Sequence, residues 1–434
     1  MSETLGQIRR GLGARGRPGP AGAPEPPGST AADRPLARLI GLLNRPLTSY
    51  YLIIGCTVLL LAIGLPLVLS TSLDSALDQG QSPFAAFQKQ LLGAMAGLFV
   101  MWLAARASPR LFRAAAYPMI GLAVVGLLLV PVIGVASQGA TRAISVAGLT
   151  IQPSEFAKLA FALWGADLLA RKEKLRQLTD SRALLIPLMP GAAILALLVL
   201  VGHDIGSTSV LLAIFLSLLW VVGCPRGTFF GVLGLMVFAL IVVILTSHYA
   251  RQRLNGWMCP ATATTPACWQ PTQGRDALGS GGLFGVGLGA SRSAWGWVPE
   301  SSTDFIFAIL GEELGLVGTL SVILLYGGIA YAGIRIARRM TDTFMRLATA
   351  AVTIWIVAQA LINIGAVLGL LPITGIPLPL VSEGLSSLLV TMAGLGMLLS
   401  FARHEPGAEQ ALAAAGPSVP RRILSWLGLG VRRT

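Results

Sequence analysis

Charge is scarce in this chain. Of its 434 residues, 12% are Asp, Glu, Lys or Arg and 54% are hydrophobic, giving a mean hydropathy of +0.74. A soluble globular protein carries about twice that share of charge, so this composition excludes one. Cysteine is scarcer still: four thiols cannot supply a disulfide framework for a fold of this size. The formal net charge of +13 raises nucleic acid as a partner, but that would require a basic folded face, whereas the basic residues lie in short loops between apolar runs. No Gly-Lys-Ser/Thr follows the glycine-rich run from Gly279 to Gly289, which excludes a phosphate loop. What is present is a series of apolar runs long enough to cross a bilayer, the pattern of an all-α polytopic membrane protein.

Residues 1–47 are rich in Gly, Pro, Ala and Arg and lack any apolar period, so a disordered tail is expected there. The first apolar run, 50–69, starts too late and is too long for a signal peptide. Ten runs follow one another, at 50–69, 87–105, 114–135, 154–170, 183–201, 205–223, 228–247, 305–334, 347–370 and 384–402. They define a ten-helix membrane domain over 48–403, with a large outer loop at 248–303 between the seventh and eighth helices and a tail at 404–434. Of the 32 Lys and Arg residues, 25 fall in the two tails and in alternate loops. Positive charge is retained on the cytoplasmic side, so both termini are expected in the cytoplasm and the chain in the cytoplasmic membrane.

With the chain so oriented, the unexplained polar residues gather at the outer face, and chemistry is expected there. Asp304 leads: it stands at the mouth of an apolar run, where an acid is a functional candidate by default. If the helix runs on from Phe305, Glu312 lies about 80° round and about 12 Å along from Asp304, on the same face. A divalent cation, Mg or Mn, would then belong near Asp304 and Glu312, and Glu300 lies just upstream. Gln152, Glu155 and Lys158 open the fourth run; Glu155 and Lys158, three apart, make either an intrahelical ion pair or part of a site. Arg142 upstream favours the site, because a Lys and an Arg converging at a membrane surface hold a phosphate or pyrophosphate. Asp204 is read as a helix cap or, with His203, as a weak metal motif. Asp167 pairs with Arg171 one turn on. The outer loop contributes Arg253 and the cysteines Cys259 and Cys268, which are either a small disulfide or free thiols; Cys56 and Cys224 read as ordinary buried or interfacial residues. Asn363 precedes a stretch of prolines and glycines at 370–384 that includes Ser382 and cannot continue a helix. Such backbone at membrane depth survives only inside protein or beside a wet cavity, so it is expected to wall the site.

Together these segments resemble the SEDS family (shape, elongation, division and sporulation; the FtsW/RodA/SpoVE group). The resemblance rests on Gln152-Pro153-Ser154-Glu155 with Lys158, Asp204-x-Gly206-x-Thr208, the 279–289 run, Pro299-Glu300-x-x-Thr303-Asp304-Phe305, Glu312-Glu313-Leu314-Gly315 and Gly369-Leu370-Leu371-Pro372-x-Thr374-Gly375 through Pro379-Leu380. It covers about 142–402. It implies a ten-helix peptidoglycan glycosyltransferase that polymerises lipid II, with Asp304 as catalytic aspartate, Arg142 and Lys158 at the membrane surface and Arg253 in the outer loop. A class B penicillin-binding transpeptidase and divisome proteins are the implied partners. Departures from the family pattern occur at Ala143, His203, Ala294, Ser302, Glu383 and Leu385. Arg403-His404-Glu405-Pro406 resembles the tail of actinobacterial, division-type members, the elongation type standing second. A lipid II flippase and a pure scaffold are the competing classes; the one-sided placement of the charges favours an enzyme over a flippase.

Overall fold

The computed structural model describes residues 47–78, 84–137, 140–146, 149–175, 181–257, 266–294, 298 and 300–408. The two expected tails, except Leu47 and residues 404–408, and Cys259 and Pro299 lie outside the described residues. Thirteen helices are present among the described residues: α1 Thr48–Asp78, α2 Ala85–Arg106, α3 Pro109–Ile133, α4 Pro153–Lys174, α5 Ser181–Leu185, α6 Leu188–Val201, α7 Ile205–Val222, α8 Arg226–Thr246, α9 His248–Trp257, α10 Pro266–Ser280, α11 Ile306–Arg339, α12 Thr343–Val367 and α13 Leu385–Ala402. Between α3 and α4 lies a small antiparallel sheet, β1 Gly134–Ser137, β2 Ala140–Val146 and β3 Leu149–Ile151, in that order.

Nine helices among the described residues are long and apolar enough to cross a membrane. The tenth expected segment falls on α4, whose 22 residues would suffice in length but carry Glu155, Lys158 and Asp167, all fully buried. These charges are tolerable because α4 is enclosed by α3, α7 and α12 and each finds a partner. The most enclosed apolar spans are α12 and α13, with 72% of each buried, whereas α8 is 6% buried and presents its side chains to the surroundings, as a lipid-facing helix does. Of the expected outer loop 248–303, a large part is helical, in α9 and α10. The sheet was not anticipated.

At the arginine-rich end of the bundle, charges are paired. Asp167 accepts from Arg171 at 2.7 Å and from Arg113 at 2.5 Å, which agrees with the intrahelical reading and adds a second helix to it. Glu405, beyond α13, lies 3.9 Å from Arg335 and 3.6 Å from Arg339 on α11. A helix rises about 1.5 Å per residue, so the roughly 20 residues that cross about 30 Å of hydrocarbon can be counted upward from these arginines. From Arg171, Arg335 and Arg403 the count reaches Gln152, Gly315 and Gly384. These three positions lie one hydrocarbon thickness from the arginine-rich end.

Candidate active site

At that level lies a cavity of about 810 Å3. Its walls are the first turns of α2 and α13, the sheet, the turn 300–304 and the non-helical stretch 372–384 that follows α12. Prolines 372, 377 and 379 keep this stretch from becoming helix, and side chains from α12 take up its backbone groups. The Asn363 amide donates to the carbonyls of Ile376 and Asp304, both at 2.8 Å. Gln359 donates to the Pro377 carbonyl at 3.1 Å. Ser382 donates to the Thr303 carbonyl at 2.6 Å and accepts from the Leu378 amide at 2.7 Å, while the Glu383 amide donates to the Ser302 carbonyl at 2.9 Å. The turn carrying Asp304 is thus fastened to the 376–383 backbone at three points.

Asp304 and Arg142 meet at Gly375. Arg142, on β2, donates to the Gly375 carbonyl at 3.2 Å. A Cβ on Gly375 would lie 2.7 Å from the Arg142 guanidinium and 3.4 Å from Asp304 Oδ2, and its φ is +72°. The left-handed φ favours glycine there, and a Cβ would displace the guanidinium from its place beside the acid. The Asp304 carboxyl is pushed up to about 6, first by burial and next by the Glu300 carboxylate, with Arg142 and Arg253 pulling it down and Asp204 adding to the rise. Glu300 itself accepts from the Thr303 hydroxyl at 2.6 Å and sits at φ 56°, an uncommon conformation for a side chain-bearing residue.

Five charged side chains, Lys89, Arg142, Glu300, Asp304 and Glu383, line the cavity together with polar ones that include Gln152. Four of them, Asp304, Arg142, Gln152 and Glu300, are expected from the sequence. Asp204 stands behind Gln152, accepting from it at 3.2 Å, from Ser154 at 3.0 Å and from the Ser207 amide at 2.9 Å. It is the cap of α7, the first of the two readings for Asp204, and both its oxygens are engaged. Asn363 and Ser382 brace the wall as described, and Arg253, on α9, acts on Asp304 through its field.

Three expectations are corrected. Lys158 is wholly buried and does not line the cavity. Its ammonium donates to Glu155 and to Gln359, both at 2.7 Å, and lies 5.8 Å from the centre of the Trp355 ring. The pairing alternative for Glu155 and Lys158 is the one observed, and neither side chain lines the cavity. Glu312 likewise turns away from the cavity. It accepts from Ser291 Oγ at 2.6 Å and from the amides of Arg292 at 3.1 Å and Ser293 at 3.3 Å. The Glu312 carboxylate is thus taken up by 291–293, and among the described residues no three His, Cys, Asp or Glu side chains cluster as a metal site. Cys268 is disulfide-bonded, whereas Cys56 and Cys224 are free.

Lys89 and Glu383 were missed as site residues. Gln90 donates to the Ser382 carbonyl at 3.1 Å and accepts from the Gly384 amide at 3.4 Å, which brings the two charged neighbours to one rim. The available signal was Lys89-Gln90 itself, a polar pair at the start of an apolar run on the arginine-poor side.

Residues 50–406 match the family model for FtsW, RodA and SpoVE, described as cell cycle proteins. The chain is 40% identical over 425 residues to the probable peptidoglycan glycosyltransferase FtsW of Mycobacterium tuberculosis, covering 98% of this chain and 80% of that one. It is 34% identical over 357 residues to stage V sporulation protein E of Bacillus subtilis, covering 81% and 96%. Among solved structures, it is similar to a chain of a peptidoglycan synthase complex that coordinates polymerization and crosslinking, with a TM-score of 0.65, 25% identity and coverage of 81% and 97%. The rod shape determining protein RodA of Thermus thermophilus gives a TM-score of 0.58 at 26% identity, covering 81% and 96%.

Proposed function

This chain belongs to the FtsW/RodA/SpoVE family, and from that premise we infer that it is a multi-pass membrane peptidoglycan glycosyltransferase of the septal, division type. Its substrate is lipid II, polymerised into glycan strands at the outer face of the cytoplasmic membrane, with both termini in the cytoplasm. The observation that carries this reading is the Asp304 carboxyl, raised to about 6 by desolvation and set beside Arg142 in the wall of the cavity.

Forming a glycosidic bond requires that the acceptor sugar's hydroxyl lose its proton as the donor's bond to the lipid diphosphate breaks. Asp304 takes that proton: a carboxylate with a pKa near 6 is ionised at neutral pH yet a stronger base than an exposed aspartate. Arg142 offers fixed positive charge to the departing diphosphate, where a cation is worth most in a partly dehydrated site. Lys89 is the second cation at the cavity rim, the role expected from sequence for Lys158. Arg253 adds to the positive field. Glu300 raises the basicity of Asp304, and Asn363 and Ser382 hold its turn. A class B penicillin-binding transpeptidase is the partner; the similarity to a synthase that couples polymerization to crosslinking supports this.

The experiment is polymerisation of lipid II by the purified chain, with and without the transpeptidase. Wild type yields glycan strands and Asp304→Asn yields none while remaining folded. Polymer of undiminished yield from Asp304→Asn would remove the base role, and translocation of lipid II across vesicles without polymer would support the flippase class instead.

A further inference from the structure

The glycine-rich run that matched no phosphate loop exposes four large apolar side chains in six residues. Phe284 is 81% exposed, Leu283 62%, Leu288 60% and Val286 49%. In water such a cluster is costly to display and marks a contact surface. Its backbone is anchored in an unusual way. At Gly315 (φ 65°, ψ −161°) α11 is broken, which deprives the Leu316 and Val317 amides of Glu312 and Glu313 as their helical acceptors. The run fills the gap: Leu316 and Val317 donate to the carbonyls of Gly282 at 3.0 Å and Leu283 at 3.2 Å, while the carbonyls of Glu312 and Glu313 accept from Val286 at 2.9 Å and Gly287 at 3.0 Å. All four groups opened by the break are satisfied. The splice needs glycine, since a Cβ on Gly281 would lie 1.9 Å from the Gly311 carbonyl oxygen and one on Gly285 2.1 Å from that of Glu313.

Apolar side chains on a backbone packed against and partly hydrogen-bonded to protein suit non-helical chain at the edge of hydrocarbon. The depth agrees. About 20 residues up from Arg335, one hydrocarbon thickness, the count reaches Gly315, the residue against which this run is spliced. The apolar cluster is also continuous with the exposed stripe Leu316, Val317, Leu320 and Leu324 of α11. The acids at this level are taken up by protein, Glu312 by the 291–293 segment and Glu313 by Ser70 and the amides of Gly289 and Ser291.

We propose that residues 283–288 form a re-entrant wedge seated in the leaflet opposite the arginine-rich ends, with lipid acyl chains as its occupant. The bilayer is then gripped at that level by an element that does not span it, as interfacial segments do. The reading is independent of the enzymatic one.

It is tested on the full chain in lipid bilayers, with Cys56 and Cys224 changed to serine and one spin label introduced at Phe284→Cys, or at Leu288→Cys should the first fail to fold. The probes are oxygen, which concentrates in hydrocarbon, and a water-soluble nickel chelate. The expected oxygen-to-nickel accessibility ratio exceeds that of a label at the solvent-exposed Thr341 by about fivefold or more and approaches that of one at Leu324, as burial in the leaflet requires. A ratio equal to that at Thr341 would overturn the wedge. Low access to both probes would overturn it in favour of a protein covering the patch.

Discussion

Changing Lys158 to methionine separates a buried pairing role from a substrate role more cleanly than any other single substitution. Lys158 and Glu155 are both wholly inaccessible. The ammonium is 2.7 Å from Glu155 Oε1 and 2.7 Å from Gln359 Oε1, and Gln359 in turn holds the Pro377 carbonyl in the cavity wall. Met has a similar length but no charge, so Lys158→Met leaves the Glu155 carboxylate uncompensated in a medium that cannot solvate it. Removing one member of a buried pair typically costs about 3–5 kcal/mol, whereas replacing both with neutral groups of similar shape is often close to neutral. Against a usual stability of about 5–15 kcal/mol, the single change is severe. The double change Lys158→Met with Glu155→Gln should recover most of it, giving a coupling of about 2–4 kcal/mol, well above the roughly 0.5 kcal/mol by which independent sites depart from additivity. The assay is a double-mutant cycle: detergent-solubilised unfolding midpoints for the four proteins, with lipid II polymerisation measured on the fraction that stays folded. The pairing account expects stability and polymer yield to recover together in the double variant. A double variant as stable as wild type but without polymer would refute it and return Lys158 to the substrate.

Four further outcomes are expected. The polymerisation rate should fall as pH drops through about 6, where desolvation and the Glu300 carboxylate set the Asp304 carboxyl, because the protonated acid cannot accept the hydroxyl proton; Arg142→Met should move this limb to higher pH, since it removes a charge that lowers the pKa, and an unmoved limb would show that another group titrates. Lys89→Gln should weaken lipid II binding, and diphosphate-bearing ligands should feel it more than the same lipid lacking phosphate; equal effects would exclude a phosphate contact. Asn363→Leu removes two donors at 2.8 Å and should lower kcat by about tenfold for roughly 1–1.5 kcal/mol of lost hydrogen bonding, checked by single-turnover polymerisation at saturating substrate. Gly281→Ala should destabilise the chain by about 3 kcal/mol or more through overlap with the Gly311 carbonyl, whereas Gly279→Ala, with nothing within 4 Å, should change the thermal midpoint little.

Several features of this protein are properties of residue type summed along the chain. Apolar runs report membrane spans because each side chain's preference for hydrocarbon is its own and adds to its neighbours'. The arginine-rich loops mark one end of the bundle for the same reason, and Asp304 stood out as an acid where acids are expensive. Prolines 372, 377 and 379 announced an irregular wall because a missing amide and a fixed φ act locally. Lys158 and Lys89 show where such reading stops. Each is a lone lysine near the start of an apolar run, and the one that carried the motif lies buried against Glu155 and Gln359. The one that carried none reaches the cavity because Gln90 binds the Ser382 carbonyl some 290 residues away in the chain. Glu312 fails differently: the helical angle from Asp304 is sound geometry, but which acid faces the cavity was decided by the 291–293 segment that supplies its three donors. The sheet between α3 and α4 left little trace because its strands are short and its partners for pairing are each other. Burial preference is carried by a single residue and can be read one residue at a time; a contact exists only when two distant segments arrive at the same place, and packing alone brings them there.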